Sequence, residues 1–341
     1  MTNLKPYTLH VGDALTVLKT LPSESVNCCV TSPPYFGLRD YGVNGQIGAE
    51  TTPAAFVSAL VAVFEEVRRV LTVDGIFWLN LGDSYSSQGG GQVVNTINSN
   101  RIGGSDSQNS GKSRKAAEGL PPKNLMMIPA RVAIALQDAG WILRAEIVWH
   151  KPNPMPESVT DRVTRSHEMI YMLTKSEQYF YDAEAIKEKS VETSGWAKQR
   201  QKGVNTWKYN DTPDRISATS QKIDFSTFGI AGMRNARSVW TISNSQGFKE
   251  AHFACFPEEL PRRCILAGCP ENGLVLDPFT GSGTTGAVAI RHGRRFVGVE
   301  LNPCYAEMAH RRICKETLNI FKEAATITDD DDAADVQESL F

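Results

Sequence analysis

A short polar and aromatic stretch carries the residues best suited to chemistry. Thr31-Ser32-Pro33-Pro34-Tyr35 follows the apolar residues 26–30, which predict a buried strand. Ligands of open α/β sheets collect beyond the carboxyl ends of the strands, so this stretch is a candidate site. The two prolines remove two amide donors and leave the carbonyls of Ser32 and Pro33 as rigid acceptors. Rigid acceptors beside an aromatic ring suit a planar amine, whereas a plain Pro-Pro turn is the structural alternative.

A second motif, near the C-terminus, has the pattern of a strand, a glycine loop and a helix. Residues 273–277 predict a strand that ends at Asp277, and Gly281 and Gly283 follow in the loop. The next predicted strand, residues 295–300, ends at Glu300. Glycines let the backbone pass close to a ligand, and a carboxylate at the end of the next strand can accept both ribose hydroxyls. The motif predicts one mononucleotide-binding βαβ half and a nucleoside-type cofactor.

The two motifs, in this order, resemble the beta class of S-adenosylmethionine-dependent DNA amino-methyltransferases, in which the catalytic half precedes the cofactor half. Further matches at 12–15, 144–152, 238–240 and 252–260 extend the resemblance over most of the chain. It implies that the catalytic residues are Ser32, Pro33, Pro34 and Tyr35. It also implies S-adenosyl-L-methionine as the cofactor, and the residues expected to bind it are Asp13, Asp277, Pro278, Phe279, Thr280, Gly281, Ser282, Gly283, Thr284 and Glu300.

The resemblance implies a mechanism in which the protein activates an exocyclic amine of a base. Its lone pair is delocalised into the ring, so the Ser32 hydroxyl and the Pro33 carbonyl are expected to accept its hydrogens. Tyr35 is expected to stack on the base after it is flipped out of the duplex. Ser32 favours N4 of cytosine, because relatives that act on N6 of adenine mostly carry Asp or Asn there. Adenine-N6 methylation, a DNA-binding regulator without catalysis and protein glutamine methylation are the alternatives, and no metal or covalent thiol is expected.

The order of the motifs also predicts the topology. About forty residues follow Glu300, too few to complete a dinucleotide fold in sequence. We therefore expect an α/β fold with a circularly permuted Rossmann-like methyltransferase sheet and an inserted DNA-recognition segment. If the sheet closes through the N-terminus, Asp13 lies at the strand end next to Glu300 and can accept a hydrogen bond from the adenine amino group. A simple Gly-Asp turn is the alternative.

Shifts in composition divide the chain into four regions. Residues 1–183 are predicted to form the catalytic half, with a flexible insertion at 84–118 that is rich in Gly, Ser, Asn and Gln. Residues 184–237 are predicted to recognise the target, 238–322 to form the cofactor half and 323–341 to form an acidic flexible tail. The apolar periodicity predicts strands at 7–12, 25–32, 75–82, 141–150, 168–174 and 238–242 and helices at 14–20, 53–71, 125–139 and 257–268.

The charge of the chain is unevenly distributed. The formal net charge is −2, but six of the 38 acids lie in the last thirteen residues. Residues 186–237 hold ten Lys or Arg and five acids, interleaved with Trp and Tyr. Cations among aromatic residues favour contact with nucleic acid over a merely solvated face, and the resemblance implies that the partner is double-stranded DNA. The residues predicted to contact DNA are Arg39, which has a structural salt bridge as its alternative, Lys198, Arg200, Lys202 and Lys208.

The remaining patterns bear on location and partners. No apolar run is long enough to span a membrane and no signal-peptide pattern is present, so we expect a protein of the bacterial cytoplasm or of a phage-infected bacterium. The seven cysteines form no C-x-x-C pair, which argues against zinc and a disulfide framework. Gln337-Glu338-Ser339-Leu340-Phe341 resembles the peptides by which bacterial replication proteins dock on the sliding clamp, with an unremarkable acidic tail as the alternative. A restriction-modification role is expected, while the partner nuclease and homodimerisation stay open.

Overall fold

Two compact units make up the chain in the computed structural model: Met1–Tyr181 with Ser238–Phe341, and Asp182–Arg237. The structure describes residues 6–37, 45–86, 120–189, 233–243 and 256–338. The residues predicted to contact DNA lie outside the described residues: Arg39, Lys198, Arg200, Lys202 and Lys208. Residues 87–119, which include most of the predicted insertion at 84–118, also lie outside them.

The first unit is built from strands and helices that alternate along most of the chain. Its strands are β1 (Tyr7–Val11), β2 (Val26–Thr31), β3 (Leu71–Leu81), β4 (Ile142–His150), β5 (His167–Thr174), β8 (Val239–Thr241), β9 (Leu274–Asp277) and β10 (Arg295–Glu300), while β6 (Glu188–Lys189) and β7 (Met233–Arg234) belong to the second unit. Its helices are α1 (Ala14–Leu18), α2 (Pro53–Val70), α3 (Ile128–Asp138), α4 (Glu259–Gly268), α5 (Thr284–Arg291) and α6 (Pro303–Glu338).

The strands of the first unit form one mixed sheet in the described part of the chain, in the order β1-β10-β9-β2-β3-β5-β4-β8. The run from β1 to β3 is parallel, and β5 is antiparallel to both of its neighbours. The N-terminal strand β1 pairs with β10, and the amide of Gly12 donates to the carbonyl of Glu300 at 2.9 Å. The chain therefore continues its sheet through the N-terminus, which confirms the permuted α/β fold.

Helix α2 shows how local chemistry sets the elements. The Thr52 hydroxyl accepts a hydrogen bond from the amide of Ala55 at 3.0 Å, and Pro53 occupies the first turn, where no amide donor is needed. The helix buries a stripe of side chains at helical spacing: Phe56, Leu60, Val63, Phe64, Val67 and Val70. Strand β3 begins at Leu71, directly after the helix, four residues before the predicted start at 75.

The C-terminal helix α6 is longer than the sequence pattern indicated. Residues 323–341 were expected to form a flexible tail, but the backbone is helical as far as Glu338. Residues 323–338 include four alanines, a residue type of high helix propensity. Residues 339–341, the end of the clamp-like motif, lie outside the described residues.

The second unit, Asp182–Arg237, is described only at its two ends. A short 3₁₀ helix (Glu184–Ile186) precedes β6, which pairs antiparallel with β7. The Glu188 carboxylate accepts hydrogen bonds from Arg234 at 2.9 Å and from Arg237 at 2.5 Å. These contacts tie the beginning of the segment to its end.

Candidate active site

A cavity of about 810 Å³ lies at the carboxyl ends of the parallel strands. Residues of both motifs line it, because β2 and β9 are neighbours in the sheet. Of the residues predicted to be catalytic or to bind the cofactor, Gly283 is the one that does not line it. A Cβ at Gly283 would lie 2.9 Å from the Cα of Ala309, so this glycine lets α5 approach α6. The volume is typical of a small-molecule site.

Glu300, at the end of β10, presents a carboxylate to one side of the cavity. Its Oε2 accepts a hydrogen bond from the amide of Gly281 and its Oε1 one from the amide of Asn302, both at 2.8 Å. Burial raises the pKa of Glu300. Each carboxylate oxygen has a further lone pair, so the group has the capacity to accept two hydroxyls.

Asp13 lies at the adjoining strand end, beyond β1. Its Oδ1 accepts hydrogen bonds from the amide of Thr16 at 2.8 Å and from the Thr16 hydroxyl at 2.7 Å. Asp13 therefore caps helix α1 as well as lining the cavity.

Asp277 joins the two motifs through a fully buried carboxylate. Its Oδ1 accepts from the Thr31 hydroxyl at 2.6 Å and from the amide of Phe279 at 3.0 Å, and its Oδ2 accepts from the Thr285 hydroxyl at 2.6 Å. Burial raises the pKa of Asp277 to about 6. Because three donors of the chain hold this carboxylate, Asp277 connects the end of β2 to helix α5.

The other side of the cavity is organised around the hydroxyl of Tyr35. It donates to Oε2 of Glu168 at 2.6 Å, and the Ser32 hydroxyl donates to it at 3.3 Å. The Lys151 ammonium donates to Oε1 of Glu168 and also lies 4.3 Å from the centre of the Trp149 ring. Asn80 Oδ1 is 3.3 Å from the Tyr35 hydroxyl. A network of hydrogen bonds thus fixes the outer end of the Tyr35 ring.

Gly82, directly after β3, leaves room for one edge of the same ring. A Cβ at this position would lie 2.5 Å from Cε2 of Tyr35, closer than real Cβ atoms approach other atoms. The missing side chain lets the Tyr35 ring occupy its place above the end of β3.

Asp83 and Arg165 form a further pair on the cavity wall. The Asp83 side chain is 2% exposed and lies 3.5 Å from the Arg165 guanidinium. Its Oδ1 accepts from the amides of Ser84 at 2.9 Å and Ile128 at 3.0 Å. The pair anchors the start of α3 and holds a cation at the cavity wall.

Comparison with known proteins identifies the family of the protein that has this cavity. The sequence model of the N6/N4 methyltransferase family, described as DNA methylase, matches residues 26–311. The chain belongs to this family of DNA methyltransferases. It is 45% identical over 322 residues to the type II methyltransferase M.Cfr9I of Citrobacter freundii, which covers 93% of this chain and 91% of that protein. It is 42% identical over 318 residues to M.SmaI of Serratia marcescens, with coverage of 92% and 93%.

Solved structures share the fold of this methyltransferase. The PvuII DNA methyltransferase (cytosine-N4-specific) superposes with a TM-score of 0.59 at 21% identity and covers 90% of this chain and 86% of its own. A protein of Thermus thermophilus complexed with S-adenosyl-L-methionine superposes with a TM-score of 0.52 at 27% identity, covering 91% and 95%. By its sequence and fold, the chain is therefore an S-adenosylmethionine-dependent DNA amino-methyltransferase. No helix among its described residues is long and apolar enough to cross a membrane.

The chemistry of the cavity fits this cofactor. Glu300 offers acceptors that match ribose hydroxyls, and Asp13 places an acidic side chain at the neighbouring strand end. Phe279 lines the same region and meets Phe64 edge-on, with 6.5 Å between the ring centres. An aromatic side chain and carboxylates suit an adenosine group, which has an apolar face and polar edges.

Sequence reasoning missed the residues that surround Tyr35. Glu168 and Lys151 were not singled out, although Lys151 lies within the matched stretch 144–152. The available signal was an acid at the start of an otherwise apolar strand, since such a residue needs a partner once it is half-buried. Asn80 carries a similar signal, since a polar amide within the apolar strand β3 needs a hydrogen-bond partner when it is buried. Gly82 carries a different one, since a glycine directly after a strand leaves room for a neighbouring side chain.

Proposed function

We propose that this methyltransferase modifies N4 of cytosine in double-stranded DNA, as the modification enzyme of a restriction-modification pair in the bacterial cytoplasm. The observation that carries the proposal is Ser32, a hydroxyl at the end of β2 where relatives that act on adenine mostly carry Asp or Asn. Its hydroxyl hydrogen is directed to Tyr35, so its lone pairs are available to an amine. The neighbouring Pro33 carbonyl is the second acceptor.

The catalytic residues act by changing the electron distribution of the amine. Ser32 Oγ and the Pro33 carbonyl accept its two hydrogens and hold them out of the plane of the base, which localises the lone pair on nitrogen. Tyr35 stacks on the flipped base and offsets part of the cost of unstacking, which is roughly a few kcal/mol. S-adenosylmethionine, when bound, supplies the methyl group on a positively charged sulfonium. The product amine then releases a proton to water.

The cofactor is held by the residues of the glycine loop and its neighbours. Glu300 would accept hydrogen bonds from the ribose hydroxyls, and Asp13 would accept one from the adenine amino group. The loop residues surround the remainder of the cofactor: Pro278, Phe279, Thr280, Gly281, Ser282 and Thr284. Asp277 acts through its hydrogen bonds to Thr31 and Thr285, which set the distance between the loop and the catalytic residues.

DNA binding is assigned to the basic segment and to the loop after Tyr35. Lys198, Arg200, Lys202 and Lys208 contact phosphates, and Arg39 is a further contact to the DNA. The excess of cations over acids in residues 186–237 supports this assignment.

The test is to identify the methylated nucleoside. DNA is incubated with the protein and cofactor carrying a labelled methyl group, digested to nucleosides and separated by chromatography. N4-methylcytosine is expected. N6-methyladenine would replace the assignment of the base, and label in a protein substrate or in no substrate would refute DNA methylation.

Variants then test the site itself. Tyr35→Ala is expected to slow turnover by roughly 10- to 100-fold, because stacking on a flipped base contributes about 1–3 kcal/mol. The dissociation constant of the cofactor should stay nearly unchanged, because the ring is proposed to stack on the base. Tyr179→Ala is the matched control, since Tyr179 is bonded to Arg144 and does not line the cavity. Wild-type methylation by Tyr35→Ala would show that the proposed base site is wrong.

A further inference from the structure

Four polar side chains form a hydrogen-bonded line that ends at the catalytic serine. Lys151 donates to one oxygen of Glu168, and Tyr35 donates to the other at 2.6 Å. Ser32 Oγ lies 3.3 Å from the Tyr35 hydroxyl. The Glu168 and Lys151 side chains are 15% and 19% exposed, so water does not replace these bonds freely.

The chemistry of the groups gives this line a direction. A carboxylate has acceptors only, so the hydrogen of the Tyr35 hydroxyl points toward Glu168. Asn80 Oδ1 is a second acceptor at 3.3 Å, but the single hydrogen favours the nearer and charged oxygen. The amide nitrogen of Asn80 is committed to the carbonyl of Met169 at 3.2 Å, so Asn80 also offers Tyr35 an oxygen.

The direction extends to Ser32. Because the hydrogen of Tyr35 is committed, its oxygen can only accept from the Ser32 hydroxyl. The hydroxyl hydrogen of Ser32 is then directed to Tyr35, which leaves the lone pairs of Ser32 Oγ as acceptors. A serine in the opposite orientation would offer a hydrogen where the amine needs an acceptor.

We propose that Glu168, oriented by Lys151, is a positioning residue that makes Ser32 a hydrogen-bond acceptor. The inference rests on the proposed function, because it concerns how Ser32 receives an amine hydrogen. It holds for an amine of either base. Glu168 lines the cavity and acts on the amine through its hydrogen bond with Tyr35.

Glu168→Gln tests the direction with almost no change in shape. Lys151 has donors only, so it holds the amide oxygen on its own side and leaves the amide NH₂ facing Tyr35. The Tyr35 hydrogen is then divided between Asn80 Oδ1 and Ser32 Oγ, both at 3.3 Å. We expect kcat to fall about tenfold, the equivalent of one ordinary hydrogen bond, with the dissociation constant of the cofactor unchanged.

A second substitution distinguishes direction from simple structural support. In the double variant Glu168→Gln with Lys151→Met, the amide is free to turn its oxygen to Tyr35. We expect kcat to recover most of the loss seen in Glu168→Gln alone. A purely structural ion pair predicts that kcat follows the melting temperature through the series, since replacing both partners removes the unpaired Lys151 charge that Glu168→Gln leaves. The proposal predicts a loss of kcat in Glu168→Gln at temperatures where that variant is fully folded, and a double variant as slow as Glu168→Gln would overturn it.

The Tyr35→Phe background gives an independent arm. Without the phenolic hydroxyl the line is broken, so Glu168→Gln should change kcat less than about twofold in that background. A full tenfold loss there would show that Glu168 acts by another route and would reject the proposal. The melting temperature is measured for every variant. Glu66→Gln is the control, because it removes one partner of a half-buried ion pair on α2 that does not line the cavity.

The proposal and the proposed function fail in different ways. Absence of methyl transfer to DNA by the wild-type protein contradicts the proposed function. With transfer present, the order of kcat values among the variants decides the role of Glu168.

Discussion

Gly82→Ala offers the most direct test of the geometry at the active site. The added Cβ would lie 2.5 Å from Cε2, 3.0 Å from Cδ2 and 3.2 Å from Cζ of Tyr35. An ordinary contact needs at least 3.4 Å, so the edge of the ring must move by about 1 Å. The ring has little freedom to do so, because its hydroxyl is bonded to Glu168 at 2.6 Å.

The expected result is a catalytic defect larger than the defect in stability. Misplacement by about 1 Å costs roughly 100-fold in rate, whereas overpacking costs about 1–3 kcal/mol in the free energy of unfolding. Single-turnover transfer of labelled methyl groups, measured well below the melting temperature, gives the rate. Calorimetry gives the dissociation constant of the cofactor, which should not change because Gly82 lies on the Tyr35 side of the cavity.

The control is a glycine whose substitution causes strain without contact. Gly293 has a φ of +71°, and a Cβ there would meet nothing within 4 Å. Gly293→Ala should lower the free energy of unfolding by about 1–2 kcal/mol and leave the rate unchanged. A Gly82→Ala rate within about threefold of wild type, or a loss matched by Gly293→Ala, would refute the argument that the Tyr35 ring must be held in this place.

Three further predictions follow from groups outside the Tyr35 network. Burial raises the pKa of Asp277 from 3.8 to about 6, so the contribution of this group to the free energy of unfolding should fall by roughly 2 kcal/mol as pH rises from 4 to 7. Urea titrations of wild type and Asp277→Asn should therefore show different dependences on pH, and parallel curves would contradict this prediction. Replacing Lys198, Arg200 and Lys202 with neutral residues should weaken DNA affinity and reduce its dependence on salt concentration. An unchanged slope of affinity against salt would place recognition elsewhere in the chain. A chain ending at Val336 should lose binding to the sliding clamp in surface plasmon resonance, and equal binding by both chains, or by neither, would remove the clamp hypothesis.

The sequence alone predicted the fold class and identified the two motifs whose residues line one cavity. Apolar runs predict buried strands because parallel strands are covered on both faces, and the order of the motifs predicted the closure of the sheet through β1. Ser32, Tyr35 and Glu300 could be named as candidates because each lies at or just beyond the end of a predicted strand, and strand ends of a parallel sheet share one edge. The prediction of the fold is confirmed because it depends on local patterns and their order, and the three candidates line one cavity.

The tertiary structure alone decided which side chains work together. The hydroxyl of Tyr35 meets Glu168 across 133 residues, and Thr31 meets Asp277 across 246. The sequence suggested that Asp277 touches the cofactor, and the fold in addition surrounds its carboxylate with three donors of the chain. Such pairings depend on strand order and register, which bring distant residues within hydrogen-bond distance, and a local pattern contains no information about either.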